Sequence, residues 1–292
     1  MNQRPDVLEE RLVLTADCDP ARSLRVRIER PAGSAPAGGR PVAVVAHGFK
    51  GFMDWGFLPA LSRALAEAGF VAVSFNASGS GIGEDPQVMD DEEAFFHDTF
   101  SRQLTDFAQA RGLARGLDGV DPGRELLFGH SRGGAMAVVS ASEDPPARLV
   151  TWAAFSDVDR IDEEAKAAWR RDGVLHVPNG RTGQVHRMSL AALEDAEQNR
   201  ERLDLLAAAA RLDAPWLVVH GEGDATVDVS CGRRLAAAGP GAELLVIDGA
   251  DHTVGARHPM APDLGAAPDL EVAGAATLAF GVPLIETPRG AG

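Results

Sequence analysis

Residues 126–139 read Leu126-Leu127-Phe128-Gly129-His130-Ser131-Arg132-Gly133-Gly134-Ala135-Met136-Ala137-Val138-Val139. The apolar run Leu126–Phe128 reads as a buried strand, and the breaker-free apolar run from Ala135 reads as the start of a buried helix. Between them stands G-x-S-x-G, the pattern of a nucleophile elbow. Such a turn is tight enough to strain the serine backbone, so small residues must flank it, and Gly129, Gly133 and Gly134 supply that room. Ser131 would then project its hydroxyl from the turn, with a helix N-terminus beneath it to favour developing negative charge. The rival explanation is a glycine-rich turn whose serine only caps the helix. The rest of the chain decides between them.

Strand and helix patterns alternate on both sides of this stretch. Residues 10–16 and 23–30 alternate apolar and polar side chains and predict two half-buried antiparallel strands. Residues 41–46 are a continuous apolar run, as a parallel strand buried on both faces would be, and 70–75, 126–128, 149–155, 215–220 and 242–248 read as further strands. Helical patterns fall at 57–68 (closed by Gly69), about 95–111, after the elbow, at 229–238 and around 269–280. The expected fold is therefore α/β, with a mostly parallel central sheet flanked by helices. Residues 156–212 break the rhythm with a charged helix (159–171), a hairpin-like piece (174–187) and a long alanine-rich helix over about 189–211. They predict a lid or cap inserted into a core made of residues 1–155 and 213–292, packed over the sheet end where the elbow lies.

A serine nucleophile needs a base to take its proton and a carboxylate to orient that base. The strand 216–219 runs into His220-Gly221-Glu222-Gly223-Asp224, and the next strand into Gly249-Ala250-Asp251-His252. Ser131, Asp224 and His252 thus follow three strands in the order serine, acid, histidine. Asp228 is read as opening the next helix, Glu222 as facing solvent and Asp251 as a turn residue. His258 also follows the acid but lies deeper in an irregular loop before Pro259. For the oxyanion, one backbone N–H is expected from Arg132, after the nucleophile, and one from Phe49, in the His47-Gly48-Phe49 loop that follows the strand 41–46. The loop Ser78–Gly83 lacks the Lys-Ser/Thr of a phosphate cradle and is read as a pocket wall. No cofactor and no metal are expected.

The formal net charge of -15 argues against nucleic acid or an anionic membrane surface as a partner. No run approaches 18 apolar residues, so no membrane span is expected. The N-terminus has no apolar signal core, and Cys18 and Cys231 have no metal or redox spacing, which together predict a cytoplasmic protein. Oligomeric state is left open.

With those residues assembled, the chain resembles the α/β-hydrolase fold superfamily. The segments H-G-F-K-G-F-M-D-W-G-F (47–57), F-N-A-S-G-S-G-I-G-E-D (75–85), G-H-S-R-G-G (129–134) and H-G-E-G-D-A-T-V (220–227) carry the likeness. They are similar to bacterial cytoplasmic esterase-like hydrolases related to the dienelactone hydrolase and prolyl oligopeptidase branches. The resemblance implies a triad of Ser131, Asp224 and His252 with oxyanion donors at Phe49 and Arg132. The superfamily hosts many chemistries, so the substrate is not inherited from the likeness; the reading is a serine hydrolase that cleaves a small-molecule carboxylic ester of small or medium size through an acyl-enzyme on Ser131. True dienelactone hydrolases carry cysteine where Ser131 stands, and haloalkane dehalogenases and epoxide hydrolases carry aspartate. Epoxide hydrolases also use lid tyrosines, and this chain has no tyrosine. A peptidase or amidase with the same residues, or a non-catalytic binding protein of the same fold, are the alternatives.

Overall fold

The computed structural model describes residues 6–180 and 182–286. In chain order the elements are β1 (Val7–Ala16), β2 (Asp19–Pro31), β3 (Arg40–Ala46), α1 (Leu58–Ala68), β4 (Val71–Asn76), α2 (Glu92–Phe96), α3 (Phe100–Arg115), β5 (Val120–His130), α4 (Arg132–Glu143) and β6 (Arg148–Trp152). There follow α5 (Glu163–Asp172), β7 (Val174–Pro178), β8 (Val185–Ser189), α6 (Ala191–Gln198), α7 (Leu205–Ala210), β9 (Trp216–Gly221), α8 (Ser230–Ala238), β10 (Ala242–Ile247) and α9 (Pro268–Glu286).

Eight strands form one sheet in the order β1-β2-β4-β3-β5-β6-β9-β10. β1 pairs with β2, and β2 with β4, antiparallel; every other pairing in the sheet is parallel. The continuous apolar runs are explained by two cores, one on each face. Val42, Val44, Leu127 and Val218 pack toward α3, α4, α7 and α8, while Ala43, Val45, Phe128 and Val219 pack into the core that holds Leu61 and Leu65 of α1 and Leu270 and Ala273 of α9. A strand buried on both faces has no polar side to alternate with.

The register brings the working ends together. Ala46 lies beside Gly129, His130 beside Trp152, Trp152 beside Val219, and Gly221 beside Ile247. The loops after β3, β5, β9 and β10 therefore emerge along one sheet edge. β4 lies on one side of β3 and β5 on the other, so the chain switches direction beside the elbow, where an open α/β sheet leaves a crevice.

Three helices differ from their sequence patterns. The pattern at 95–111 is two helices, because Thr99 takes extended backbone and its hydroxyl accepts the Arg102 N–H as a new N-cap. The pattern at 189–211 is also two, since α6 stops at Asn199 and Asp204 caps α7 by accepting the Ala207 N–H. The pattern around 269–280 runs on to Glu286, giving the one described helix long and apolar enough to cross a membrane by length and composition. Asp269, Glu271 and Thr277 interrupt it, so it is still not a run of 18 apolar residues. α9 carries Asp269 and Glu271 in its first turn, and Thr277 accepts the Trp152 indole N–H in the protein interior.

Residues 156–212 enter the chain between β6 and β9. α5 is capped by Asp162, which accepts the Ala165 N–H, and ends at Gly173 in the left-handed region (φ 71°). β7 and β8 form a separate two-stranded antiparallel hairpin. Arg181 lies outside the described residues. α7 buries Leu205, Ala208 and Ala209 in the same core as α4 and α8.

Candidate active site

The elbow is built by backbone packed against backbone. Ser131 has φ 54° and ψ -120°, a conformation that a residue with a side chain adopts only when its surroundings enforce it. A Cβ on Gly129 would overlap the Gly133 carbonyl, and a Cβ on Gly133 would overlap the His47 carbonyl at the end of β3. A Cβ on Gly134 would stand 2.9 Å from the Ala154 Cβ and from the Gly129 carbonyl oxygen. The three glycines therefore permit the turn to close and α4 to sit against the sheet. The Ser131 N–H donates to the Trp152 carbonyl (2.8 Å), and its own carbonyl accepts from Ala135 N–H in the first turn of α4 (3.0 Å).

Glycine performs the same task on the other side. A Cβ on Gly221 would overlap the Ala250 carbonyl, and one on Gly223 would come within 2.8 Å of the Gly249 carbonyl oxygen. The loops after β9 and β10 thus touch backbone to backbone, which brings Asp224 to His252. Asp224 Oδ1 accepts the N–H groups of Thr226 and Val227 (2.8 Å each), and Oδ2 lies 2.7 Å from His252 Nδ1. His252 Nε2 lies 3.0 Å from Ser131 Oγ. Serine, histidine and aspartate form one continuous hydrogen-bonded chain. Burial pushes the Asp224 carboxyl up, but hydrogen bonds from His220, His252 and the Val227 N–H outweigh it and hold the group well below the ordinary carboxylate range. His220 makes its shorter bond to the Val227 carbonyl (Nε2 at 2.8 Å) and reaches Asp224 Oδ2 only at 3.5 Å, so its proton leans toward the carbonyl.

The other histidines and acids stand elsewhere. His130 Nε2 bonds the His252 carbonyl (2.9 Å) and its ring lies 4.9 Å from the His252 ring, so it steadies the His252 backbone. His258 Nδ1 accepts the Gly56 N–H (3.1 Å) and stacks on Trp55. Asp228 accepts the Ser230 N–H at the start of α8, and Asp251 closes its own turn by accepting from Thr253 and Gly255. Glu222 is exposed, 3.8 Å from Arg233.

Phe49 and Arg132 flank Ser131. Among the described residues neither backbone N–H donates to an acceptor, and both residues line the cavity that holds Ser131 and His252. The turn Gly48–Gly51 is closed by the Gly51 N–H to the Gly48 carbonyl, with Lys50 in the left-handed region (φ 57°). His47 secures its base: Nε2 accepts the Ala77 N–H (3.0 Å), so Nδ1 carries the proton and donates to the Gly48 carbonyl (2.8 Å). Burial pushes this imidazole down to about 4, keeping it neutral.

The cavity measures about 1290 Å³. Its floor is Ser131, Arg132, Phe49 and His252, and its far wall comes from the inserted segment, including Trp169, Leu175, Val177, Met188 and Leu193. Lys50 Nζ donates to the Pro178 carbonyl (2.9 Å) and joins the turn after β3 to the hairpin. The feature missing from the sequence reading is Asp98, buried beside Arg132 with Nη1 to Oδ2 at 2.6 Å. Its only sequence signal is an acidic residue just before the Thr99 cap.

No curated protein sequence matches the chain. In fold it is similar to Est1E from Butyrivibrio proteoclasticus bound to ferulic acid (21% identity, TM-score 0.70, covering 94% of this chain and 100% of that one). The esterase domain of a Rhodothermus marinus protein is also similar (20% identity, TM-score 0.61, 94% and 98% covered). So is a putative dienelactone hydrolase from Klebsiella pneumoniae (17% identity, TM-score 0.57, 94% and 98% covered). Residues 17–263 match the profile of the alpha/beta hydrolase family, and with the elbow, the sheet order and the loop placement in agreement, the chain belongs to that family.

Proposed function

We propose that the protein is a serine hydrolase that cleaves carboxylic esters of small or medium size through an acyl-enzyme on Ser131. Ser131 Oγ attacks the ester carbonyl while His252 Nε2 takes its proton, and Asp224 holds the imidazole with Nδ1–H toward Oδ2 and stabilises the imidazolium. The Phe49 and Arg132 N–H groups donate to the oxyanion of the tetrahedral intermediate. His252 then returns the proton to the leaving alcohol, and a water activated by the same imidazole releases the acid. In this proposal residues 156–212 act as a lid that shapes the pocket without supplying reacting groups.

The observation that carries the reading is the unbroken sequence of contacts from Ser131 Oγ to His252 (3.0 Å) and from His252 to Asp224 (2.7 Å) at the floor of an open cavity. A serine that merely capped α4 would accept a backbone N–H; the Ser131 side chain makes no cap bond. Supporting this choice of substrate class, the cavity wall offers Phe155, Trp169, Leu175, Val177, Met188 and Leu193, which suit an apolar acyl or alcohol group.

The test is labelling with a fluorophosphonate, followed by turnover of p-nitrophenyl acetate, butyrate and octanoate, methyl ferulate and a p-nitroanilide. Labelling confined to Ser131 with turnover of the p-nitrophenyl esters is the expected result. Absence of labelling in folded protein would reject the nucleophile, and turnover of the anilide in preference to the esters would make the protein an amidase.

A further inference from the structure

Nothing in the elbow geometry calls for arginine at 132, since the oxyanion needs only its backbone N–H. Yet this guanidinium is largely taken out of water in the cavity wall beside Ser131, an expensive placement unless it is paired. Its side chain and that of Asp98 are only 7% and 8% exposed, and Nη1 bonds Asp98 Oδ2 at 2.6 Å. The guanidinium carbon lies 4.5 Å from the centre of the Phe100 ring and 5.4 Å from that of Phe49. Phe49 is the residue that carries the other proposed donor. The two residues whose N–H groups flank Ser131 therefore meet again through their side chains, in the wall of the cavity.

Asp98 is fixed from two sides. Its N–H donates to the Phe95 carbonyl, and the Phe95 ring in turn packs 5.4 Å from the Phe49 ring. On the other side lies the glycine-rich loop after β4, where a Cβ on Gly79 would stand 2.5 Å from Asp98 Oδ1. Gly79 thereby acquires a reason to lack a side chain that no phosphate-binding role had given it. Burial pushes the Asp98 carboxyl up, and the Arg132 guanidinium offsets only part of that rise.

We infer that Asp98 is a positioning residue: through the Arg132 guanidinium stacked on Phe49, it fixes the distance between the two backbone N–H groups that receive the oxyanion. This inference rests on the proposed roles of Phe49 and Arg132. A misplacement of the order of an ångström at such donors costs about 10- to 100-fold in rate, and the loss falls on the transition state, where the charge is.

The experiment compares wild type with Asp98→Asn, Arg132→Met and the double variant, all retaining the backbone N–H groups. The substrate is p-nitrophenyl butyrate and the tetrahedral analogue an alkyl trifluoromethyl ketone. Each single variant is expected to lower kcat by about 10- to 100-fold with KM nearly unchanged, and to weaken the ketone by the same factor. The double variant should be no worse than the poorer single, because the pair acts as one device. Wild-type kcat in Asp98→Asn, a loss confined to KM, or losses that multiply in the double variant would each overturn the inference. Should Asp98→Asn not fold, Phe49→Leu removes the stacked ring and leaves every charge paired; it must show the same split between kcat and KM. Full turnover by Ser131→Ala would instead reject the underlying hydrolase reading, whatever Asp98 does.

Discussion

Around Ser131 the molecule is held by backbone lying on backbone; across the cavity, the hydrogen bonds that tie residues 156–212 to the core have a side chain at one end or both. The Gly133, Gly221 and Gly129 positions admit no Cβ, and their neighbours are carbonyl groups of adjoining strands and loops. The inserted segment has a small hairpin of its own, and its described hydrogen bonds to the core use side chains, such as Lys50 to Pro178, Asp195 to Ser101 and Arg160 to Thr226. Backbone contacts cannot be re-made by a new rotamer, whereas side-chain contacts can. The difference suits a division between fixed chemistry and adjustable fit. Four sets of substitutions probe it, taken in order of expected effect.

The largest effect is expected at the nucleophile. Ser131→Ala should lower kcat by about 10⁴- to 10⁶-fold without loss of fold, because the covalent route disappears. Steady-state kinetics alongside circular dichroism checks this, and retained turnover would end the assignment.

Next comes the acid. Asp224→Asn should cost about 10⁴-fold in kcat, since an amide donating toward His252 Nδ1 would impose the wrong tautomer while its oxygen still accepts from Thr226 and Val227. Asp228→Asn, on an exposed residue at the start of α8, should leave kcat within a few-fold. The reverse ranking would move the acid to Asp228.

His47 tests the rigid side through stability. Burial pushes its pKa from the ordinary 6.5 down to about 4. Between those values the unfolded chain binds a proton that the folded protein does not. His47 therefore contributes stability above pH 6.5 that is lost as pH falls toward 4, roughly 3 kcal/mol in all. Asp106, a buried carboxyl raised to about 6, contributes with the opposite sign in much of that window, so wild type alone is uninformative. The measurement is a difference: the destabilisation caused by His47→Gln should shrink by about 3 kcal/mol between pH 7 and pH 4 in urea melts. A constant difference would mean that His47 is not held neutral.

The smallest effect belongs to the adaptable side. Trp169→Ala should change selectivity between p-nitrophenyl acetate and octanoate by about 1–3 kcal/mol, read as a ratio of kcat/KM, with acetate turnover little altered. His176→Ala and His186→Ala should leave acetate turnover intact; His176 is exposed and His186 is buried against Phe95. Loss of acetate turnover in either would give the insertion a chemical role.

The rigid side was also the more legible in the sequence. Glycines at 129, 133 and 134 mark backbone contact by their lack of a side chain, and polar residues at the ends of apolar strands mark where loops converge. Ser131, Asp224 and His252 could be brought to one edge on strand order alone. Asp98 could not, because its partner is 34 residues away and the pairing depends on how α2 and α3 break around it. The joints at 97–99 and 199–204 escaped notice for the same reason: Thr99 and Asp204 are ordinary residues in a helical pattern until their side chains turn to cap the following helix. The length of α9 was hidden by Pro283, which reads as a stop but lies inside the helix.

The distribution of aromatic residues has an optical consequence. The chain has no tyrosine and four tryptophans, so its near-ultraviolet emission comes from indoles alone. Trp152 and Trp216 lie on the central sheet, each with its indole N–H bonded to a threonine, and Trp55 lies in the loop leading into α1. Only Trp169 belongs to the insertion, 4% exposed and lining the cavity wall. A molecule entering the cavity, or a displacement of its wall, would alter the surroundings of one emitter and leave three as internal standards. With phenylalanine at the other three positions, the protein's native fluorescence would report on cavity occupancy without an attached dye.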